Sequence, residues 1–193
     1  MRALLATLVA TLLATITLFG QTAEDPWAKV GVGDRVPQFE ATMTDGTTIS
    51  SADLQGRVVL LTLWASWCPS CRKEFKWLHR SEEFAVLLDN PQFLFLPVAR
   101  EENSATVEAW MAKKGYNFRS AADPERELYS LFAEQEIPRN ILIDSRGIVR
   151  YHSSSYSRKS LSALVAAIES LLSESSAGDA DAESGPLKET ERQ

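Results

Sequence analysis

The feature that most constrains this chain is the run Val58–Trp64, VVLLTLW, followed closely by Cys68-Pro69-Ser70-Cys71. The run is apolar apart from Thr62 and rich in β-branched residues, so it reads as a strand buried on both faces. Ala65-Ser66-Trp67 breaks it, and the charged, amphipathic segment that follows reads as a helix. Pro69 suits the first helical position, where a missing N–H costs nothing and the fixed φ already fits. The Cys68 sulfur then sits beside unpaired backbone N–H groups at the positive end of the helix dipole. A thiolate, the reactive form of cysteine, is stabilised there. Cys71, one turn on, is close enough to close a short disulfide, and the pair reads as a reversible dithiol.

The chain holds no other cysteine. That excludes a disulfide scaffold and a four-thiolate zinc site. A structural staple is the weaker reading of the pair, because closing so short a loop constrains the unfolded chain little. The formal charge of −6 is concentrated in the tail from Ser173, where six acids face only Lys188 and Arg192. No basic surface suited to nucleic acid is present.

At the amino terminus, Arg2 precedes a weakly apolar run from Ala3 to Phe19, which reads as a secretory signal over residues 1–23 or, uncleaved, as an anchor. Arg2 stays on the cytoplasmic side in either case, so the domain is exported. Glu24 to Arg35 reads as linker. Asp45-Gly46 between two short polar-apolar runs predicts a hairpin. After the dithiol, Cys71, Phe75 and Leu78 share one inward helix face, and Gln92 to Val98 reads as a parallel strand. Ser104 to Lys114 is helical and stopped by Gly115. Asp123-Pro124-Glu125 has the form of a helix start, with the helix reaching about Ala133. Asn140 to Asp144 and Ile148 to His152 read as strands, and Leu161 to Leu172 as the apolar stripe of a final helix. The tail, 173–193, reads as disordered and acidic. Strands alternating with helices predict an α/β domain with a central mixed sheet.

WCPSC after a hydrophobic strand resembles the thioredoxin superfamily, and LLTLWASWC and CRKEF resemble its extracytoplasmic TlpA/ResA-like branch. The resemblance runs from about Val32 to Leu172 and implies a three-layer thioredoxin-like fold over 30–172 with an N-terminal β-hairpin extension. It implies an exported thiol–disulfide oxidoreductase acting on protein disulfides or thiols, without a bound cofactor or metal, the redox group being the Cys68–Cys71 pair. A membrane electron donor and a periplasmic location follow from the same resemblance. Cys68 becomes the nucleophile and Cys71 the resolving thiol; Trp67, Pro69, Ile137 and Pro138 become substrate contacts, Ile137-Pro138 matching the family's cis-proline.

The departures are Thr62 where thioredoxins proper carry a buried acid, Pro69 where ResA-like relatives have Glu, and Lys76 where a kinking proline is common. The usual proton acceptor for Cys71 is therefore missing. Glu74 reads as a solvated helix acid, the alternative being service to Cys71 through water. Arg139 reads as solvent-facing or paired with a surface acid, the alternative being a guanidinium reaching back to Cys68. Trp64 and Phe75 read as core, and His79 and His152 as surface. Two other uses of the same thiols are copper delivery and a peroxidase-type enzyme; soft Cu(I) suits thiolates, but neither histidine completes a ligand set.

Overall fold

A computed structural model describes residues 25–183, with side chains to residue 175. The expected signal or anchor lies outside the described residues, among which no helix is long and apolar enough to cross a membrane. Strands β1 (Glu40–Thr42) and β2 (Thr48–Ser50) form the expected antiparallel hairpin. Its turn needs a residue at positive φ, which Gly46 supplies at 83°. The main sheet contains β3 (Val58–Trp64), β4 (Phe93–Arg100), β5 (Ala121–Asp123), β6 (Arg139–Ile143) and β7 (Val149–Ser153) in the order β5-β4-β3-β6-β7. β4 runs parallel to β3 and β5, while β6 is antiparallel to β3 and β7. Helices α1 (Pro69–Arg80), α2 (Glu82–Leu88), α3 (Ser104–Lys114), α4 (Tyr129–Phe132) and α5 (Arg158–Glu183) complete the domain.

β3 is buried along its whole length. Its pleat sends Val58, Leu60 and Trp64 to one core, with Phe75, Phe84 and the α5 stripe, and Val59, Leu61 and Leu63 to the other. The second core includes Phe39, Met43, Tyr129 and Phe132 and is closed by the hairpin. This alternation recurs in β6, where Leu142 joins the first core and Ile141 and Ile143 the second. Which face each β6 side chain takes decides the chemistry below.

Three expectations need correction. Asp123 ends strand β5 instead of starting a helix; its carboxylate takes the N–H groups of Leu128 at 3.3 Å and Tyr129 at 2.7 Å, so it caps the single turn α4. α5 continues to Glu183, past the apolar stripe and into the segment expected to be disordered, while 184–193 lie outside the described residues. The stretch expected as linker is laced to the domain: Ala28 bridges Ala133, Arg35 bridges Ile148, and Val30 is buried.

Asp25 anchors that stretch. Its Oδ2 accepts Arg139 Nη1 at 2.6 Å. Burial works against the Asp25 charge, yet the Arg139 bond prevails and the carboxyl sits below its ordinary pKa. Arg139 Nη1 also donates to His152 Nε2 at 2.7 Å, and Nη2 to the Gln135 carbonyl at 2.7 Å. His152 is thus half-buried instead of a free surface residue, and burial, with the Arg139 charge added, holds its pKa below the ordinary value. Asp25→Ala strands part of a buried guanidinium and is expected to cost about 2 kcal/mol. Urea denaturation at pH 7 measures it, and adding Arg139→Met should recover most of the loss.

Candidate active site

The β3–α1 connection delivers the dithiol. Cys68 is the N-cap of α1, and its sulfur accepts the Cys71 backbone N–H at 3.2 Å, one of the donors a helix start leaves free. Pro69 is the exposed first residue of the helix. Cys68 and Cys71 are joined as a disulfide, with Cα atoms 5.3 Å apart. Cys71 is fully buried, and Cys68 keeps 4% of its surface exposed. The Cys68 sulfur also lies 3.2 Å from Ser70 Oγ and 3.6 Å from the Ile137 carbonyl oxygen. Ile137-Pro138 is a cis peptide bond immediately before β6, so the expected loop does face the sulfurs. Trp67, directly before Cys68, is half exposed at 51%. Trp64 and Phe75 are fully buried with ring centroids 4.3 Å apart, as core residues should be.

Glu74 is not solvated. Its position in α1 shares the inward face with Cys71, Phe75 and Leu78, and it is fully buried. Asn140 Nδ2 donates to Glu74 Oε1 at 3.0 Å, while Thr62 Oγ1 donates to Asn140 Oδ1 at 2.7 Å. Thr62 and Asn140 are directly opposed in the β3–β6 register, so the chain Thr62–Asn140–Glu74 runs behind the dithiol from sheet to helix. Glu74 Oε2 is buried and takes no hydrogen bond. Burial raises the Glu74 pKa to about 7, against a smaller lowering by Asn140. A carboxyl poised there can gain or lose a proton under ordinary conditions. Thr62 occupies the position of the acid expected in thioredoxins proper, and the acid itself is supplied from the helix.

Arg139 is neither solvent-facing nor aimed at Cys68. It follows Pro138, but the pleat turns its side chain to the second core, where it is fully buried against Asp25. Asn140, the next residue, takes the dithiol side.

Two further residues escaped the sequence reading. Glu102, nearly buried after β4, accepts the Ser66 backbone N–H at 2.6 Å and the Ser66 hydroxyl, which braces the turn just ahead of Trp67. Arg100 packs beneath the Trp67 ring. No local spacing marks either; they meet the dithiol loop only because β4 lies beside β3. His79 is exposed and makes no approach to a ligand set, and no group of three or more metal-ligating side chains occurs among the described residues.

The Redoxin family model matches residues 31–168. The thiol-disulfide oxidoreductase ResA of Bacillus subtilis is 27% identical over 120 residues, which cover 62% of this chain and 65% of ResA, just under two thirds of that relative. The soluble secreted antigen MPT53 of Mycobacterium bovis is 28% identical over 166 residues, covering 84% of this chain and 91% of MPT53. Among solved structures, a putative protein disulfide isomerase from Bacteroides thetaiotaomicron is similar at a TM-score of 0.72 and 30% identity, over 76% of this chain and 93% of that one.

Proposed function

Since this chain belongs to the Redoxin family, we propose that it is an extracytoplasmic thiol–disulfide oxidoreductase that reduces protein disulfides through Cys68 and Cys71. The observation that carries the reading is the Cys68 sulfur at the N-cap of α1, paired with Cys71 and 3.6 Å from the carbonyl that precedes cis-Pro138. In the reduced protein the Cys71 N–H and the helix dipole favour a Cys68 thiolate. That thiolate attacks one sulfur of a substrate disulfide, breaking the S–S bond and releasing the other sulfur as a thiolate, which takes a proton from water. Cys71 then loses its proton to the carboxylate of Glu74 and attacks the Cys68 sulfur. The mixed disulfide breaks, the second substrate sulfur leaves as a thiolate, and Cys68–Cys71 forms. Two electrons have passed from the dithiol to the substrate.

In this reading Trp67 and Pro69 form one rim of the substrate groove and Ile137-Pro138 the other, and the Ile137 backbone pairs with an extended substrate segment. Thr62 and Asn140 hold Glu74 in place. The absence of a histidine between the two cysteines favours net reduction, since a strongly supported thiolate is what makes an oxidant. A dithiol donor must re-reduce the pair, and outside the cytoplasm we assign that step to a membrane protein. Periplasmic export through residues 1–23 fits this chemistry. The mature amino terminus is expected near Gln21 or Glu24, or else the intact chain is found in the membrane with its dithiol outside. Terminal sequencing and thiol labelling of fractionated cells decide it; intact soluble protein in the cytoplasm would sink the export reading.

A further inference from the structure

Arg100 closes strand β4 beside the dithiol loop. Its guanidinium carbon lies 5.5 Å from the Trp67 ring centroid and 4.6 Å from that of Tyr129. Arg126 lies 5.0 Å from the Tyr129 centroid. Aromatic rings and guanidinium groups thus follow one another in the order Trp67, Arg100, Tyr129, Arg126. Glu101 is an ion-pair partner of both cations, its Oε2 3.1 Å from Arg100 Nε but outside hydrogen-bond geometry, and its Oε1 3.7 Å from Arg126 Nη1. Arg100 Nε and Nη1 are both buried with no hydrogen-bond acceptor. This is a guanidinium held largely by ring faces, which its planar, weakly hydrated cation permits.

The contacts do not stop at the stack. Tyr129 OH donates at 2.9 Å to the carbonyl of Glu136, the residue before Ile137. A continuous line of contacts therefore runs from Trp67, next to Cys68, to Glu136, the residue before the Ile137-Pro138 loop. The backbone is bent to keep it. The non-glycine residues at positive φ among the described residues are Glu101 at 61°, Arg126 at 61° and Glu136 at 69°, and each contributes a contact to this line. L-residues hold such a conformation only where surrounding structure over-determines it, and that tends to happen at functional sites.

We propose that Arg100 is a positioning residue for substrate binding: it fixes the Trp67 indole beside Cys68 and, through Tyr129, sets that rim at a constant spacing from the Ile137-Pro138 rim. The inference rests on the oxidoreductase reading. It implies that Arg100 matters for substrates whose chain passes between the rims and not for a small disulfide that reaches Cys68 alone.

The test compares full-length wild type with Arg100→Met, which keeps the stem without the cation, and Arg100→Lys, which keeps the charge without the plane. Four quantities are measured: KM and kcat for a disulfide-linked peptide, the reduction rate of a small aromatic disulfide, the pH profile of Cys68 alkylation, and the Trp67 emission. The last is isolated as the difference made by Trp67→Phe in each background. A cation–π contact at a half-exposed ring corresponds to about a two- to fivefold change in affinity. Arg100→Met is expected to raise the peptide KM by about that factor, with kcat, small-disulfide rate and alkylation profile unchanged and Trp67 more open to acrylamide quenching. Arg100→Lys should fall between, and if Arg100→Met does not fold it carries the test by the same criteria. An unchanged KM, an equal effect on the small disulfide, or a shifted alkylation profile overturns the proposal. Absence of exchange by the wild type would instead remove the oxidoreductase reading, and the inference with it.

Discussion

Cys68→Ser abolishes reduction of an insulin-type disulfide, whereas Cys71→Ser performs a single attack and accumulates the mixed disulfide. The first loss is chemical and not structural. Serine is among the best N-cap residues, so its hydroxyl takes over the Cys71 N–H and the start of α1 survives. Cys71→Ser removes the thiol that resolves the adduct, and the trapped covalent partner identifies the natural substrate by mass spectrometry. Sustained turnover in both single variants would exclude the dithiol mechanism. Tight stoichiometric Cu(I) binding with negligible exchange would put metal delivery in its place.

Glu74→Gln is expected to divide the two halves of the cycle. Attack by Cys68 on substrate persists, while release of the mixed disulfide slows by about a hundredfold near neutral pH, the usual scale of a lost general base. Rapid mixing of reduced protein with a peptide disulfide resolves the two phases. The same substitution reads out in stability. Glu74 titrates near 4.5 in the unfolded chain and near 7 in the native one. Between those values the native state holds a proton that the unfolded state has released. Its contribution is therefore complete below pH 4.5 and is lost as pH rises through about 7, a decline on the order of 3 kcal/mol. Denaturation from pH 4 to 9 should show this fall in the wild type and a flatter profile in Glu74→Gln, which overtakes the wild type at the alkaline end. Parallel profiles would mean that Glu74 is ionised in the native protein throughout.

The burial of Glu74 was half legible. Cys71, Phe75 and Leu78 mark the inward face of α1, and Glu74 falls on it by spacing alone. A carboxylate at such a place reads as solvated unless a partner is known, and the partner, Asn140, is remote in sequence and arrives through the β3–β6 register. For Arg139 the expected pairing with an acid holds, with Asp25, but the pair is buried against the second core; the alternative reach to the sulfurs fails because in a strand neighbouring residues point to opposite faces. Strand β5 is too short and too rich in alanine to carry a period, so the Asp-Pro-Glu signal beside it dominated. The apolar stripe of α5 marked the docked part of the helix and gave no sign of where the helix ends. By contrast, the central strand, the dithiol helix and the hairpin follow from runs and turns whose physics is local.

The Asp25–Arg139 pair also ties residue 25 to the strand that follows the cis-proline. Arg139 belongs to the sheet face opposite the dithiol, and Asp25 is fastened to it there. The two faces of β6 thus do different work beside the sulfurs: Asn140 faces the dithiol and holds Glu74, while Arg139 fastens Asp25, so a change at Asp25 reaches a residue one peptide unit away from Pro138 on one side and from Asn140 on the other.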